Sequence, residues 1–597
     1  MKHLRTLNKY IWHYKWHLLL GFLFVSTSNI FRILQPKMIG AALDQLIDKM
    51  RFYRIAKDMS NADLLISDIS SSLIYFALIV LGLAIMMGIF MYFMRQTIIV
   101  MSRLVERDLR RDIFSHYEAL HLGFFRKNNT GDLMARITED VSKVRMYLGP
   151  AILYSINLST LVIFAIGSML SVNKMLTLYT LLPLPILSYS IYYVSSIINK
   201  KSEKIQVKLA ELNSYAQETY SGIRVIKSYG KNTLFADGFR QKCDEYKDDS
   251  LDLAQVNALF FPLMVLLIGI STFLAVYVGG IFVERGAIST GNIAEFVIYV
   301  NMLTWPVTAV GWVASIIQQA EASQKRINEF LLTESQITNP VEDKRAHAGE
   351  IAFESVDFIY PDTGIQALED VNFHVKAGEK ILILGKTASG KTTIADMLLR
   401  MFDVSDGRIL IDGVDIRDLD LDHLRQRIGY VPQDNFLFSD TIANNISFGY
   451  PDATREEIIQ MAKHTAVHDD IISFTEGYDT IVGERGVTLS GGQKQRICIA
   501  RTLIKNPDIV IIDDSLSAVD SETEKEIVGY LNTALKDRTA IIITHRLHGS
   551  MVYDKVLVLD EGKIVESGTH DQLMDRDSYY KEIYEQQLYA DDTSSVS

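Results

Sequence analysis

The 597-residue sequence contains only two cysteines, Cys243 and Cys498, so it cannot build a disulfide framework and nothing points to an oxidising compartment. It lacks an excess of positive charge. A formal net charge of −12 argues against a nucleic-acid binder and leaves no nucleic acid among the expected partners. It also lacks a cleavable signal, because Met1–Lys15 is basic and aromatic with no small-residue cleavage site. That stretch reads as an amphipathic helix on the cytoplasmic membrane face, with Trp12 and Trp16 at the interface. What the chain has in abundance is apolar surface: 48% of its residues are hydrophobic although 22% are charged. Both fractions fit one chain only if the two kinds of residue are segregated along it, and they are. The length suffices for several domains.

The apolar residues concentrate in the first half. Six runs are long enough to cross a bilayer: Leu18–Leu43, Leu73–Arg95, Leu148–Val172, Met175–Ile198, Val256–Val283 and Ile293–Ile317. Pro36, Pro183, Pro185, Pro262 and Pro306 fall inside them, which membrane helices tolerate as kinks. Two long intervening loops, Gln96–Tyr147 and Asn199–Gln255, each carry more Lys and Arg than the three opposite loops together. That bias marks the cytoplasmic side and puts both termini there. Each long loop has an interruption set in a helical pattern, at Phe124–Leu133 and at Glu218–Lys227, which reads as a contact point. The spans are rich in Met and aromatics: Met86, Met87, Phe90, Met91, Tyr92, Phe93 and Met94, then Phe260, Phe261, Met264, Met302, Trp305 and Trp312. Such adaptable side chains suit hydrophobic ligands, and equally suit lipid contact or helix packing. Glu295, an acid within the last run, attracts a cation or hydrogen-bonds locally.

The second half has the composition of an α/β globular domain. Gly385-Lys386-Thr387-Ala388-Ser389-Gly390-Lys391-Thr392 fits GxxxxGK[ST], follows the apolar strand Ile381–Leu384 and opens a helix. In that context the loop N–H groups cradle phosphate oxygens, Lys391 neutralises β/γ charge and Thr392 reaches Mg²⁺. Further on, Leu489-Ser490-Gly491-Gly492-Gln493 starts a helix whose bare N–H groups suit an anion. A short strand, Ile509–Ile512, then ends on Asp513 and Asp514, an arrangement that holds Mg²⁺ in P-loop ATPases.

These motifs resemble the Walker A, signature and Walker B motifs of ATP-binding cassette (ABC) proteins, and six spans before one cassette resemble an ABC exporter half-transporter. The resemblance covers essentially the whole chain. It implies a membrane α-helical bundle of six transmembrane helices followed by an α/β P-loop nucleotide-binding domain. The expected boundaries are 1–332 for the membrane domain, 333–349 for a linker, 350–590 for the cassette and 591–597 for a disordered tail. Phe124–Leu133 and Glu218–Lys227 resemble coupling-helix regions.

By the same resemblance ATP and Mg²⁺ are the cofactors. Tyr360 stacks on adenine, and Gly385, Ala388, Ser389, Gly390, Lys391, Thr392 and Thr393 hold the phosphates, with Ala388 where the family usually has Gly. Thr392, Gln433 and Asp513 serve the metal, and His545 is the switch histidine. Gly483–Gly486 resembles the exporter X-loop and Ser517–Asp520 the D-loop. In this family each ATP lies between one chain's Walker A and the other's LSGGQ, so Ser490, Gly491, Gly492 and Gln493 serve a partner's nucleotide.

One position departs from the pattern. Asp514 stands where the family has a catalytic Glu; it is shorter by one methylene, roughly 1.3 Å of reach. A base must come within about 3 Å of its water, and a ~1 Å misplacement costs on the order of 10²-fold. Asp514 beside an intact signature resembles the degenerate-site subunit of bacterial heterodimeric multidrug exporters, except that several of those replace the histidine kept here as His545. The expected partners are a second ABC half-transporter, membrane lipids and a hydrophobic or amphiphilic small molecule. The alternatives are a lipid or peptide exporter, a homodimeric exporter with a slow ATPase, an ATP-gated channel, or a soluble cassette ATPase acting on nucleic acid, which the six spans oppose.

Overall fold

The computed structural model describes residues 2–56, 62–339, 348–483, 486, 488–516, 520–547 and 551–594. They form two compact units, Met1–Tyr117 with Gly131–Thr333, and Glu118–Thr130 with Glu334–Ser597.

Among the described residues, six helical spans are long and apolar enough to cross a membrane: Lys15–Arg54, Ile66–Ala119, Thr130–Val172, Lys174–Ser221, Asn232–Glu284 and Thr290–Leu331. Each contains one of the expected apolar runs and continues beyond it, because the polar loop sequences carry the same helices onward. Pro36, Pro262 and Pro306 lie inside helices as expected. Pro183 instead opens the helix Pro183–Ser221, where a missing N–H is harmless. The N-terminal segment is helical over Asn8–His13, and Trp12 and Trp16 are each 67% exposed. The first and last long helices meet at Gly40 and Gly291, where a side chain on Gly291 would clash with the Gly40 carbonyl. Asp44 Oδ1 accepts a hydrogen bond from the Gly291 amide at 2.6 Å and fixes that crossing. Leu161, Met169, Phe296 and Tyr299 pack the interior. Leu78, Leu81 and Ile85 point outward from Ile66–Ala119, as lipid contact favours and water does not.

The described residues of the second unit hold ten strands: β1 (Ile351–Ile359), β2 (Gln366–Val375), β3 (Lys380–Gly385), β4 (Asp406–Ile411), β5 (Val414–Asp415), β6 (Ile428–Val431), β7 (Ile509–Asp513), β8 (Thr539–Thr544), β9 (Lys555–Asp560) and β10 (Lys563–Gly568). One antiparallel sheet has the order β2-β1-β4-β5. The other has the order β10-β9-β3-β8-β7-β6 and is parallel except at β10. Every residue of β7 and β8 is buried, which explains why these strands read as unbroken apolar runs.

Two expected boundaries shift. Residues 118–130, counted above within the membrane domain, belong to the cassette unit because the short helix Leu122–Lys127 packs there. The C-terminal helix Tyr579–Ser594 runs into the segment 591–597 expected as a tail. The central linker residues 340–347 lie outside the described residues.

Candidate nucleotide site

Strands β3, β8 and β7 are parallel neighbours, with Leu384 beside Thr544 and Asp513 beside Ile543. Their C-terminal ends therefore bring together three segments that are distant in the chain: the glycine-rich loop, the paired carboxylates and His545. Ligands of open α/β sheets bind at such strand ends.

The loop turns into the helix Lys391–Leu398 through Ala388 and Gly390, whose φ values are 65° and 101°. A side chain at Gly385 would clash with the Leu559 carbonyl, and one at Gly390 with the Ala367 carbonyl. Glycine is required at both positions. Ala388 takes the left-handed conformation that costs an L residue about 1–2 kcal/mol, so its methyl is accommodated under strain. The Lys391 ammonium donates to the Gly385 and Lys386 carbonyls at 2.8 and 2.6 Å. Burial pushes its pKa down, and the carboxylates of Asp513 and Asp514 oppose that shift.

Asp513 is 1% exposed. Burial pushes its pKa up, aided by the neighbouring Asp514 charge and opposed by hydrogen bonds from Thr392 and Tyr430 and by Lys391. Its Oδ2 is buried without a hydrogen-bond partner, as is Ser389 Oγ in the loop. A buried carboxylate oxygen left over beside a threonine hydroxyl fits a hard divalent cation such as Mg²⁺. Asp514 leaves β7 with a positive φ of 45°. Its two carboxylate oxygens both accept from His545 Nδ1, each at 2.9 Å.

Tyr360 follows β1, and its hydroxyl shares a 3.0 Å hydrogen bond with Thr393 Oγ1 on the loop's helix. Thr393 is itself buried, so it supports Tyr360 from within the fold.

Residues 18–307 match the ABC transporter transmembrane region and residues 368–517 match the ABC transporter family. A probable multidrug resistance ABC transporter ATP-binding/permease protein of Bacillus subtilis, YheI, is 35% identical over 98% of this chain and 97% of its own length. The multidrug resistance-like ATP-binding protein MdlA of Escherichia coli is 37% identical over 81% of this chain and 82% of its own. An ATP-dependent lipid A-core flippase of Pseudomonas fluorescens is 35% identical over 80% of this chain and 79% of its own. The chain belongs to the ABC transporter family, as an exporter. It is a multi-pass membrane protein whose cassette binds ATP and couples its hydrolysis to transport.

The remaining ABC motif residues lie on other elements. Ser490 caps the helix Gly491–Ile504: its Oγ accepts from the Gln493 amide at 3.3 Å, and its own amide donates to Gln493 Oε1 at 3.0 Å. Gln493 also reaches Asp470 at 3.2 Å. Ser490 and Gly491 are exposed, Gly492 is half-buried, and Gln433 is exposed just after β6. Asp520 caps the helix Ser521–Ala534. Glu484 and Arg485 of the X-loop and Ser517–Val519 of the D-loop lie outside the described residues.

Sequence reasoning missed two residues here. Tyr430 hydrogen-bonds Asp513, and burial with the Asp513 charge pushes its own pKa up. Asp396, on the loop's helix, is pushed up to about 6 by burial. Tyr430 lies three residues before Gln433, and its contact depends on β6 pairing with β7, which no local signal in the sequence shows.

Within the membrane unit, a cavity of about 860 Å³ is lined by residues that include Leu158, Val162, Ile191, Asn199, Val310 and Gln318. Among the described side chains, none of the Met and aromatic residues singled out above lines it. Met86, Met91, Tyr92, Phe93 and Trp305 are exposed instead, and the side chains of Phe260 and Phe261 lie outside the described residues. Glu295 is 3% exposed. It accepts hydrogen bonds from Tyr299 Oη at 2.8 Å and Asn292 Nδ2 at 3.2 Å, which is the local role of its two expected ones.

Proposed function

We propose that this chain is one half of a heterodimeric multidrug exporter, supplying the Walker motifs of a weakly hydrolytic ATP site and the signature of its partner's active site. The observation that carries the reading is the Asp514–His545 pair. An Asp at the base position is already short, and here both of its oxygens are engaged by His545 Nδ1. A carboxylate drawn to the histidine is poorly disposed to take a proton from water. The exposed signature supports the second half of the reading, since Ser490 and Gly491 are accessible to another subunit.

In this reading Tyr360 stacks on adenine, the loop Gly385–Thr392 holds the phosphates, and Lys391 neutralises their charge. Thr392, Gln433 and Asp513 hold Mg²⁺, which supplies charge neutralisation at the β- and γ-oxygens. His545 faces the γ-phosphate. The cassette and both termini are cytoplasmic. The cargo is a hydrophobic or amphiphilic small molecule, and the mixed apolar and polar lining of the 860 Å³ cavity is of a size to take one. A lipid cargo is the second reading, favoured by the likeness to lipid A-core flippases.

The test is purification of the tagged chain from its own host. A second ABC half should co-purify, and the pair should hydrolyse ATP far faster than the chain alone. In the pair, Asp514→Ala should lower turnover modestly and Asp514→Glu should raise hydrolysis at this site. Robust hydrolysis by the chain alone, or turnover abolished by Asp514→Ala, would overturn the reading. Dye efflux against lipid translocation in proteoliposomes separates the two cargoes.

A further inference from the structure

The short helix Leu122–Lys127 lies within the cassette unit, yet the chain on either side of it belongs to membrane-spanning helices. Its penultimate residue, Arg126, makes contacts that no motif announces. The guanidinium carbon lies 4.3 Å from the centroid of the Tyr360 ring, over its face. It also lies 5.9 Å from the ring of Phe402, which meets Tyr360 edge-on at 5.7 Å between centroids. Arg126 Nε is 3.4 Å from Asp362 Oδ2.

The turn that carries Tyr360 and Asp362 is closed by its own backbone. The Gly364 amide donates to the Tyr360 carbonyl at 2.8 Å, and the Tyr360 amide donates to the Ile365 carbonyl at 2.9 Å. With the Thr393 bond to its hydroxyl, the ring is held at its rim and by its backbone, and Arg126 covers one of its two faces. The guanidinium thus sits in its own cradle of one carboxylate and two rings.

We propose that Arg126 is a positioning residue for adenine recognition: from one face it holds the Tyr360 ring on which adenine stacks at the other. This rests on the reading of Tyr360 as the adenine platform. Its physical basis is the attraction between a cation and the face of an aromatic ring, strongest where water is partly excluded. Arg126 belongs to a helix continuous in sequence with two long membrane-spanning helices. Linkage therefore makes the effect reciprocal: whatever Arg126 adds to nucleotide affinity, bound adenine adds to the seating of Leu122–Lys127.

The experiment uses the full-length chain in lipid nanodiscs and compares equilibrium binding of ATP with that of inorganic tripolyphosphate, which has no base. Arg126→Ala should weaken ATP binding about five-fold and leave tripolyphosphate unchanged. Arg126→Lys keeps the charge but loses the planar stack and should be intermediate. On a Tyr360→Ala background, Arg126→Ala should have no further effect, since the ring it acts through is gone. Four results would overturn the proposal. They are unchanged ATP binding in Arg126→Ala, tighter binding (the arginine then occupies the adenine face), equal losses for both ligands, and losses that add to that of Tyr360→Ala. If Tyr360→Ala itself leaves ATP binding intact, the platform reading fails first, which separates the two failures.

Discussion

At the phosphate-loop end of the cassette, buried Asp513 and Thr393 bond to residues of other elements, and Lys391 bonds to the carbonyls of Gly385 and Lys386 at the start of its own loop. At the signature end, Ser490 and Gly491 are exposed, and among the described residues Ser490 bonds within its own helix cap. The first end is pre-organised by the sheet, so a nucleotide arriving there requires little rearrangement. The second is a stiff, capped helix start presented outward. ABC exporters function as dimers, and an exposed, capped helix start is a surface another subunit can meet.

The largest test of that contrast is Lys391→Ala. Removing the Lys391 ammonium should weaken ATP binding by this chain and, because closure at both sites needs ATP held here, lower turnover more than Asp514→Ala does. Stopped-flow nucleotide binding and steady-state ATPase would check both. Gly491→Asp attacks the other end. It adds a carboxylate where an anion is expected, and turnover of the assembled transporter should fall on the order of 10²-fold while this chain's own ATP affinity stays normal. Loss of that affinity would mean the two ends are not separate.

Smaller effects sharpen the picture of the cradle. Ala388→Gly should relieve the left-handed strain and, after the greater entropy lost by glycine on folding, yield a net gain of about 0.5–1 kcal/mol. A rise in the cassette's thermal midpoint would show it; a fall would mean that the methyl makes compensating contacts. A pH-dependent effect is expected at Asp396, held near 6 against an ordinary 3.8 by burial. The folded state binds this proton more tightly than the unfolded one. The stability linked to Asp396 is therefore fully present below pH 3.8 and lost as pH rises through about 6. Asp396→Asn should stabilise the cassette most above that pH, with the gain shrinking as the pH is lowered, as thermal melts across pH 4–8 would reveal.

The sequence by itself determined the features that are local in the chain. The eight-residue loop Gly385–Thr392 is contiguous, and its glycines are required by close backbone approach. The six spans follow from length and apolar content, which lipid imposes directly on composition. Ser490 and Gln493 are a cap and its partner three residues on, so their bond was implicit in the order of residues.

The tertiary structure alone decided what depends on register and on segments distant in the chain. That β7 lies between β6 and β8 brings Tyr430 to Asp513 and His545 to Asp514 across long stretches of sequence. That Leu122–Lys127 packs with the cassette puts Arg126 over Tyr360, although more than two hundred residues separate them. In the membrane unit, Met and aromatic side chains serve lipid, packing or cargo equally well by composition. Only the arrangement of the helices separated the cavity wall from the outer surface, because an α-helix presents all its faces in every two turns of sequence.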